Sequence, residues 1–307
     1  MQVYKTHTIN SDHQNAVIAI GNFDGVHKGH QELIGRAKAL ADKHGYPLGV
    51  LTFSPHPRYF FNPDQEPFSL VSTDHKNTLL HELCDVDFVV EITFDKKFST
   101  LTADQFIQNI LCDGLQAAHI VIGHDFCFGA GRSGNADTLK ECSSFDTTIV
   151  EPLSDTDQTI FSSSNIRHAL RRGDLTSANQ LLGWDWVIKS TVIHGDKRGR
   201  ELGYPTANMA LGDIICPATG VYASQTKLPN GTLVNSITNI GIRPMFKAKK
   251  PLVETFIFDY KGDLYDQVLE IKPLAFLRDE AKFNSLDALV VQMGKDCKQA
   301  KAIQKNI

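Results

Sequence analysis

The spacing of hydrophobic positions changes partway along the chain. Over the first half, short apolar runs alternate with stretches of helical periodicity, the pattern of a parallel sheet flanked by helices. Ala16 to Gly21 predicts a first buried strand, and Leu33, Ile34, Ala37, Leu40 and Ala41 form the inner stripe of the helix after it. Further strands are predicted at Leu48 to Phe53, Phe88 to Ile92, His119 to Gly123 and Thr147 to Glu151, with helical stretches around 74–84, 102–112 and 134–143. From about residue 185 the runs become rich in Val, Ile, Thr, Phe and Tyr and are broken by Gly, Pro, Asn and Asp turns, with LPNGTL reading as a hairpin. Leu286, Leu289, Val290 and Met293 stand at helical spacing, so a terminal helix is expected to pack on the second half. The predicted class is α/β: a doubly wound parallel-sheet domain over residues 1–184, then an antiparallel β-barrel with a terminal helix over 185–307.

Length and composition agree with that division. A chain of 307 residues exceeds what one core usually fills, and 42% hydrophobic with 21% charged residues is ordinary for a globular enzyme. No apolar run is long enough to cross a membrane, and MQVYKTHTINSDHQ lacks the basic and apolar regions of an export signal, so a cytoplasmic protein with no membrane partner is expected. The six cysteines are scattered without a CxxC pair and read as reduced structural residues. A net charge of −4 supplies no global field for a polyanion, which makes nucleic acid an unfavourable partner while leaving room for local phosphate loops.

The densest chemistry in the first half is GNFDGVHKGH, residues 21–30, at a strand-to-helix junction where open α/β sheets bind ligands. Gly21 and Gly25 let the backbone approach a phosphate chain, and the following helix offers free N–H groups and the positive end of its dipole. His27 and His30, three apart, can donate to the same developing charge. The plainer alternative is a glycine turn opening an ordinary helix with exposed capping histidines. A zinc site is disfavoured, because HxxH lacks further ligands and the HExxH spacing. Phe23 and Asp24 complete the motif. SSSNIRHALRRGD places Ser163 and Ser164 at a helix N-terminus with Arg167 one turn on, either an anion loop or a plain N-cap. Asp125, Phe126 and Phe128 precede Gly129, Gly131 and Gly134, which reads as a ligand-lining loop or a core corner.

In the second half, HGDKRGRELGYPTANM, residues 194–209, joins glycines and basic residues to PTAN. Gly195, Gly199 and Gly203 permit a tight loop, Lys197, Arg198 and Arg200 bring positive charge, and Thr206 and Asn208 offer oxygens to Mg²⁺ and to a nucleotide phosphate. A solvated basic hairpin is the competing reading. Alternation in VETFIFDY puts Glu254, Phe256 and Phe258 on one face and Val253, Thr255 and Ile257 on the other, so Glu254 is expected to face inward or into a cleft; a solvated carboxylate is the bland alternative.

These motifs together resemble the bacterial bifunctional riboflavin kinase/FMN adenylyltransferases. TFSPHPRYFF (52–61), IGHDFCFGAGRSG (122–134), SITNIGIRPMF (236–246), DLYDQVLEI (263–271) and LRDEAKFNSLDAL (277–289) continue the resemblance in order along nearly the whole chain. The resemblance implies ATP-dependent phosphorylation of riboflavin to FMN and adenylylation of FMN to FAD, with Mg²⁺ as the metal. It implies His27 and His30 as adenylyl-transfer residues, with Gly21, Phe23, Asp24, Gly29, Ser163, Ser164 and Arg167 on ATP and Asp125, Phe126 and Phe128 on the flavin. In the kinase half it implies Glu254 as the base, Gly195, Lys197, Gly199, Gly203, Thr206 and Asn208 on the nucleotide, and Arg278 on the flavin. The implied partners are riboflavin, FMN and ATP, and the implied assembly is a monomer or weak homo-oligomer. Two positions depart from the family pattern: Asp266 stands where Gly is common after DLY, and Met245 where Thr is common. Competing readings are an adenylyltransferase with a merely flavin-binding barrel, a binding module with vestigial sites, and a synthetase-like protein suggested by HxGH alone.

Overall fold

The computed structural model describes all residues except 155–159, 196–201, 243–250 and 306–307. The chain divides into two compact units, Met1–Glu66 with Ser72–Ser162, and Pro67–Val71 with Ser163–Ile307.

The first unit is built on six strands, β1 (Gln2–Tyr4), β2 (Val17–Ile20), β3 (Leu48–Ser54), β4 (Phe88–Thr93), β5 (His119–Gly123) and β6 (Asp146–Val150), all paired parallel in the order β1-β4-β3-β2-β5-β6. The chain steps outward from β2 to β3 and β4, then returns to the other side of β2 for β5 and β6. Such a reversal opens a crevice at the carboxyl end of β2, where doubly wound sheets bind ligands. Helix α1 (Lys28–His44) starts there and buries Leu33, Ile34, Ala37 and Ala41, while Leu40 remains at its margin. It stops at Gly45, left-handed at φ 69°, whose N–H donates back to Ala41 O. Helix α2 (Thr73–Cys84) is capped by Ser72 Oγ, which accepts from His75 N at 3.3 Å. The predicted helix at 102–112 begins as α3 (Ala103–Gln105) under a Thr102/Gln105 capping box and continues through Phe106–Cys112 with π-helical bonding, so Phe106, Ile110 and Leu111 all reach the core. The helix expected over 134–143 is shorter, α4 (Ala136–Lys140), because the chain returns quickly to β6.

In the second unit, β7 (Ile188–Ile193), β8 (Ala207–Ala210), β9 (Gly220–Lys227), β10 (Leu233–Ile242), β11 (Pro251–Ile257) and β12 (Val268–Arg278) close a barrel in the order β10-β11-β8-β7-β12-β9, and every described pair is antiparallel. LPNGTL makes the β9–β10 hairpin, with Gly231 left-handed at φ 84°. The barrel interior is partly polar. Ser224, Ser236, Thr226, Thr238 and Thr255 are fully buried and satisfy one another at 2.8–2.9 Å. Helices α5 (Ser163–Arg171) and α6 (Leu175–Leu182) group with the barrel, through Ala218 N donating to Leu170 O and the packing of α6 on β12. Composition changes near residue 185, but these two amphipathic helices find their buried partners on the barrel side.

The terminal helix α7 (Leu286–Gln304) packs on the barrel, as its spacing predicts. It packs on β9 and β10 through its C-terminal half, where Asp296, Ala300 and Gln304 are buried, and Gln304 Nε2 donates to Ser224 O and Ser236 O at 2.7 Å. The Leu286, Leu289 and Met293 stripe stands outside the barrel core: Leu286 is 67% exposed, and Leu289 and Met293 are half-buried along a cavity.

Candidate active sites

In the first unit the β2–α1 turn carries three left-handed residues, Phe23 (φ 49°), Gly25 (φ 80°) and Val26 (φ 39°). For Phe and a β-branched Val this is a strained state that surrounding contacts must hold. Phe23 and Val26 are fully buried, Gly21 N donates to Leu51 O, and Gln31 Nε2 donates to Val26 O at 2.8 Å. The turn places His27 as the N-cap of α1, its Nδ1 accepting from His30 N at 3.4 Å. With Nδ1 an acceptor, the neutral ring carries its proton on Nε2. The His27 and His30 rings stack at 3.6 Å between centroids, and the Phe23 ring meets His30 edge-on at 5.3 Å. The pair is therefore a rigid block: His27 caps as the plainer reading supposed, but it is buried rather than solvated. Gly29 sits in close quarters, since a Cβ there would lie 3.0 Å from Phe161 O and 3.2 Å from the His27 ring. Asp24 is also buried.

Asp125 is exposed beyond β5, Phe126 is half-buried, and Phe128 lies in the hydrophobic core against Phe106 at 5.1 Å. A second aromatic group joins Phe53, Phe60 and Phe61 of the 52–61 block to Phe94 and Phe98, which no motif marks. Phe94 follows β4 and meets Phe60, Phe61, Phe98 and Phe53 at 5.4, 5.8, 5.5 and 6.0 Å. These rings stand at the carboxyl ends of β3 and β4, and Phe61 is 64% exposed. No local spacing marks them, because residues spread over 53–98 meet only once strands β3 and β4 pair.

Ser163 opens α5 in the second unit, with Ser164 exposed beside it. Arg167 Nε donates to Phe68 O at 2.7 Å, with the guanidinium 5.0 Å above the Phe68 ring.

Among the described residues of the barrel, two cavities share Thr206. One, of about 390 Å³, is lined by Thr206, Thr255, Tyr260, Asp263 and Tyr265 among others. The other, of about 470 Å³, lies between the barrel's outer face and α7, with Glu254, Phe256, Tyr204, Arg278, Leu289 and Met293 in its wall. Glu254 thus points into a cleft, while Val253, Thr255 and Ile257 fill the barrel. In register, Glu254 sits between Asn208 on β8 and Asn239 on β10. Asn208 is buried, its amide donates to Thr206 O at 3.2 Å, and Gly195 lies directly against it. Arg278 borders the same cleft but is held by Asp296 of α7 in a forked pair at 2.7–3.1 Å. Gly203 is left-handed at φ 81°. Asp266 is left-handed too, at φ 60°, so this departure from the family pattern falls where Gly would relieve strain. Lys197, Gly199 and Met245 lie outside the described residues.

As to reactive thiols, all six cysteines are free, and burial pushes the Cys84 thiol up to about 12, far from a nucleophile's range. Among the described residues no group of His, Cys, Asp or Glu gathers into a metal site, and no helix is long and apolar enough to cross a membrane.

A doubly wound sheet with a histidine-capped turn at its crevice, followed by a barrel with cavities that share Thr206, is the layout of a two-site transferase of phosphorus-containing groups. Comparison with known proteins agrees for both units. The sequence profile of the FAD synthetase family matches residues 9–165, and that of riboflavin kinase matches 182–304. The bifunctional riboflavin kinase/FMN adenylyltransferase of Bacillus subtilis (strain 168) is 39% identical over 300 residues, 96% of this chain and 94% of that protein. The enzymes of the same name from Haemophilus influenzae and Escherichia coli K12 are 38% and 35% identical, over 96% and 92% of this chain and 96% and 91% of theirs. A crystal structure from Streptococcus pneumoniae, described as a macrolide-efflux protein, superposes with a TM-score of 0.85 at 30% identity, covering 97% of this chain and 98% of that one. The chain belongs to the bifunctional riboflavin kinase/FMN adenylyltransferase family.

Proposed function

We propose that the chain makes FAD from riboflavin in two steps, with the barrel phosphorylating riboflavin and the parallel-sheet unit adenylylating the FMN produced. The observation that carries the reading is the pairing of a stacked His27–His30 cap with a separate barrel site in which Thr206 borders both cavities, Glu254 lines one of them, and Asn208 is the cross-strand partner of Glu254. In the barrel, the cleft beside α7 takes the flavin ring between apolar walls, and the terminal ribityl hydroxyl gives its proton to Glu254 as its oxygen attacks the γ-phosphorus. ADP leaves from the cavity on the other side of Thr206. Thr206 and Asn208 offer hard oxygen donors and few of them, which fits Mg²⁺, an ion that keeps most of its coordination for water and phosphate. A Mg²⁺ held there would neutralise charge on the ATP phosphates.

In the parallel-sheet unit, an FMN phosphate oxygen attacks the α-phosphorus of ATP, forming the new P–O–P link and expelling pyrophosphate. His27 Nε2–H and His30 steady the charge that develops, and the N–H groups of α1 add the helix-end field. No covalent intermediate is needed, because positioning and charge stabilisation supply the rate. The Phe53, Phe60, Phe61, Phe94 and Phe98 rings supply an aromatic platform for the isoalloxazine. The protein works in the cytoplasm on riboflavin, FMN and ATP, as a monomer or weak homo-oligomer.

Supplying purified protein, ATP and Mg²⁺ with riboflavin alone, and separately with FMN alone, tests both steps. The expected products are FMN followed by FAD in the first case and FAD with pyrophosphate in the second. Formation of FAD from FMN but no FMN from riboflavin would leave an adenylyltransferase with a flavin-binding barrel, and neither product would refute the reading.

A further inference from the structure

Lys76 of α2 is buried beneath the β2–α1 turn. Its Nζ donates to Asn22 O at 3.2 Å and to Thr52 Oγ1 at 2.9 Å, and Thr52 Oγ1 itself donates to Asn22 O at 3.2 Å. The three groups close a triangle on the one carbonyl between Gly21 and the left-handed Phe23. The charged groups facing the lysine are Asp24, Glu91 and Lys5. Glu91 is already engaged by Lys5 Nζ at 2.7 Å and by Asn77 Nδ2 at 3.1 Å, so it is not a dedicated partner for Lys76. Burial costs the cation more than Asp24 and Glu91 return and pulls its pKa down to about 8. A methylene chain would fill the same space without that cost, and Thr52 and Asn22 would still bond each other. The turn it supports ends at His27, the cap of the phosphate-facing helix.

We propose that Lys76 is a positioning residue for adenylyl transfer: its cation grips the Asn22 carbonyl and fixes the Gly21–Val26 turn that aims His27 and His30 at the ATP phosphates. The inference rests on the adenylyltransferase reading of the first unit, and the kinase of the same chain serves as its internal reference. A neutral amine keeps two N–H donors for Asn22 O and Thr52 Oγ1 but loses the charge that strengthens both bonds, so adenylylation is expected to weaken, without vanishing, as Lys76 deprotonates near pH 8.

The test uses the full chain with two variants, Lys76→Met and Lys76→Arg, assayed for FMN adenylylation and riboflavin phosphorylation from pH 6.5 to 9.5. Lys76→Met is expected to lower kcat for adenylylation roughly tenfold or more, with KM for FMN little changed and phosphorylation at the wild-type rate. Lys76→Arg keeps a charge that does not titrate in this range, so it is expected to retain adenylylation at pH 7 and to lose the wild-type decline above pH 8. Wild-type adenylylation in Lys76→Met overturns the proposal, as does an unchanged alkaline limb in Lys76→Arg. If Lys76→Met does not fold, the Arg profile alone decides. Absence of adenylylation in the wild type would instead refute the reading beneath it.

Discussion

Gly195→Ala tests the kinase site with the least chemical change available. A Cβ at Gly195 would lie 2.6 Å from Asn208 Nδ2 and 2.7 Å from its Cγ, about 0.8 Å inside the 3.4 Å at which ordinary contact begins. Asn208 cannot simply turn aside. It is 8% exposed, its amide is engaged with Thr206 O, and its strand is paired on both sides, to β7 and β11. The new methyl therefore displaces the Asn208 side chain by most of an ångström or shifts β7, and a misplacement of about 1 Å at a reacting centre costs on the order of 10²-fold in rate. The assay is FMN formation from riboflavin with saturating ATP and Mg²⁺. A fall of roughly 30- to 100-fold in kcat is expected, with FMN adenylylation by the same preparation unchanged as evidence that the chain is folded. A kinase within threefold of wild type would show that Asn208 does not position the transferred phosphate, and the Thr206/Asn208 assignment would fall.

Glu254→Gln keeps the shape of the cleft but removes the proposed base, so riboflavin phosphorylation should drop about 10²- to 10⁴-fold while FMN adenylylation persists; parallel loss of both would contradict the division of labour. Asp266→Gly relieves a left-handed aspartate, and because Asp tolerates that region better than most residues, denaturant midpoints should show a change of only about 1 kcal/mol or less, with kinase activity retained. Lys76→Met should stabilise the chain at pH 7, because a folded pKa near 8 against an ordinary 10.5 costs folding roughly 3 kcal/mol whenever the lysine must be charged in both states. The sign follows from proton binding: between pH 8 and 10.5 the unfolded chain holds the extra proton, so wild-type stability rises with pH from this source and the variant lacks that rise. Cys84, whose folded thiol is raised to about 12, acts oppositely above pH 9, but it is common to both proteins and cancels in the comparison.

Most of the scaffold was legible in the periodicity. The five strands read in the first half fall where the apolar runs put them, and the change to an antiparallel barrel follows the change in spacing. What escaped were features for which spacing carries no information. The edge strand β1 pairs with β4 through only three residues and shows no run of its own. Phe106–Cys112 is apolar enough to read as a helix, but its π-helical bonding is a backbone outcome invisible in composition. Leu286, Leu289 and Met293 read correctly as one face of a helix. Periodicity reports that a face is apolar, not what it covers, and here it lines the Glu254 cleft instead of the core. GNFDGVHKGH and PTAN were readable because their chemistry is contiguous. The Phe94 aromatic group and Lys76 were not, since strand pairing and helix docking bring their members together from distant positions.

The first unit holds at one turn three features that each work against stability: a left-handed Phe23, a left-handed Val26, and a buried cation beneath them. Strained backbone residues cost about 1–3 kcal/mol each, and the lysine adds a comparable amount, so together they could consume much of a domain's net stability. They persist because the surrounding structure over-determines them. Phe23 and Val26 bury their side chains completely, and Asn22 O and Val26 O both accept side-chain hydrogen bonds. A loop left to solvent would adopt a cheaper shape, and under the proposed function it would have to be reordered by each ATP molecule, at the expense of binding energy needed in the transition state. The strain is thus set against core burial once, at folding, and the stacked His27–His30 pair stands ready at each turnover.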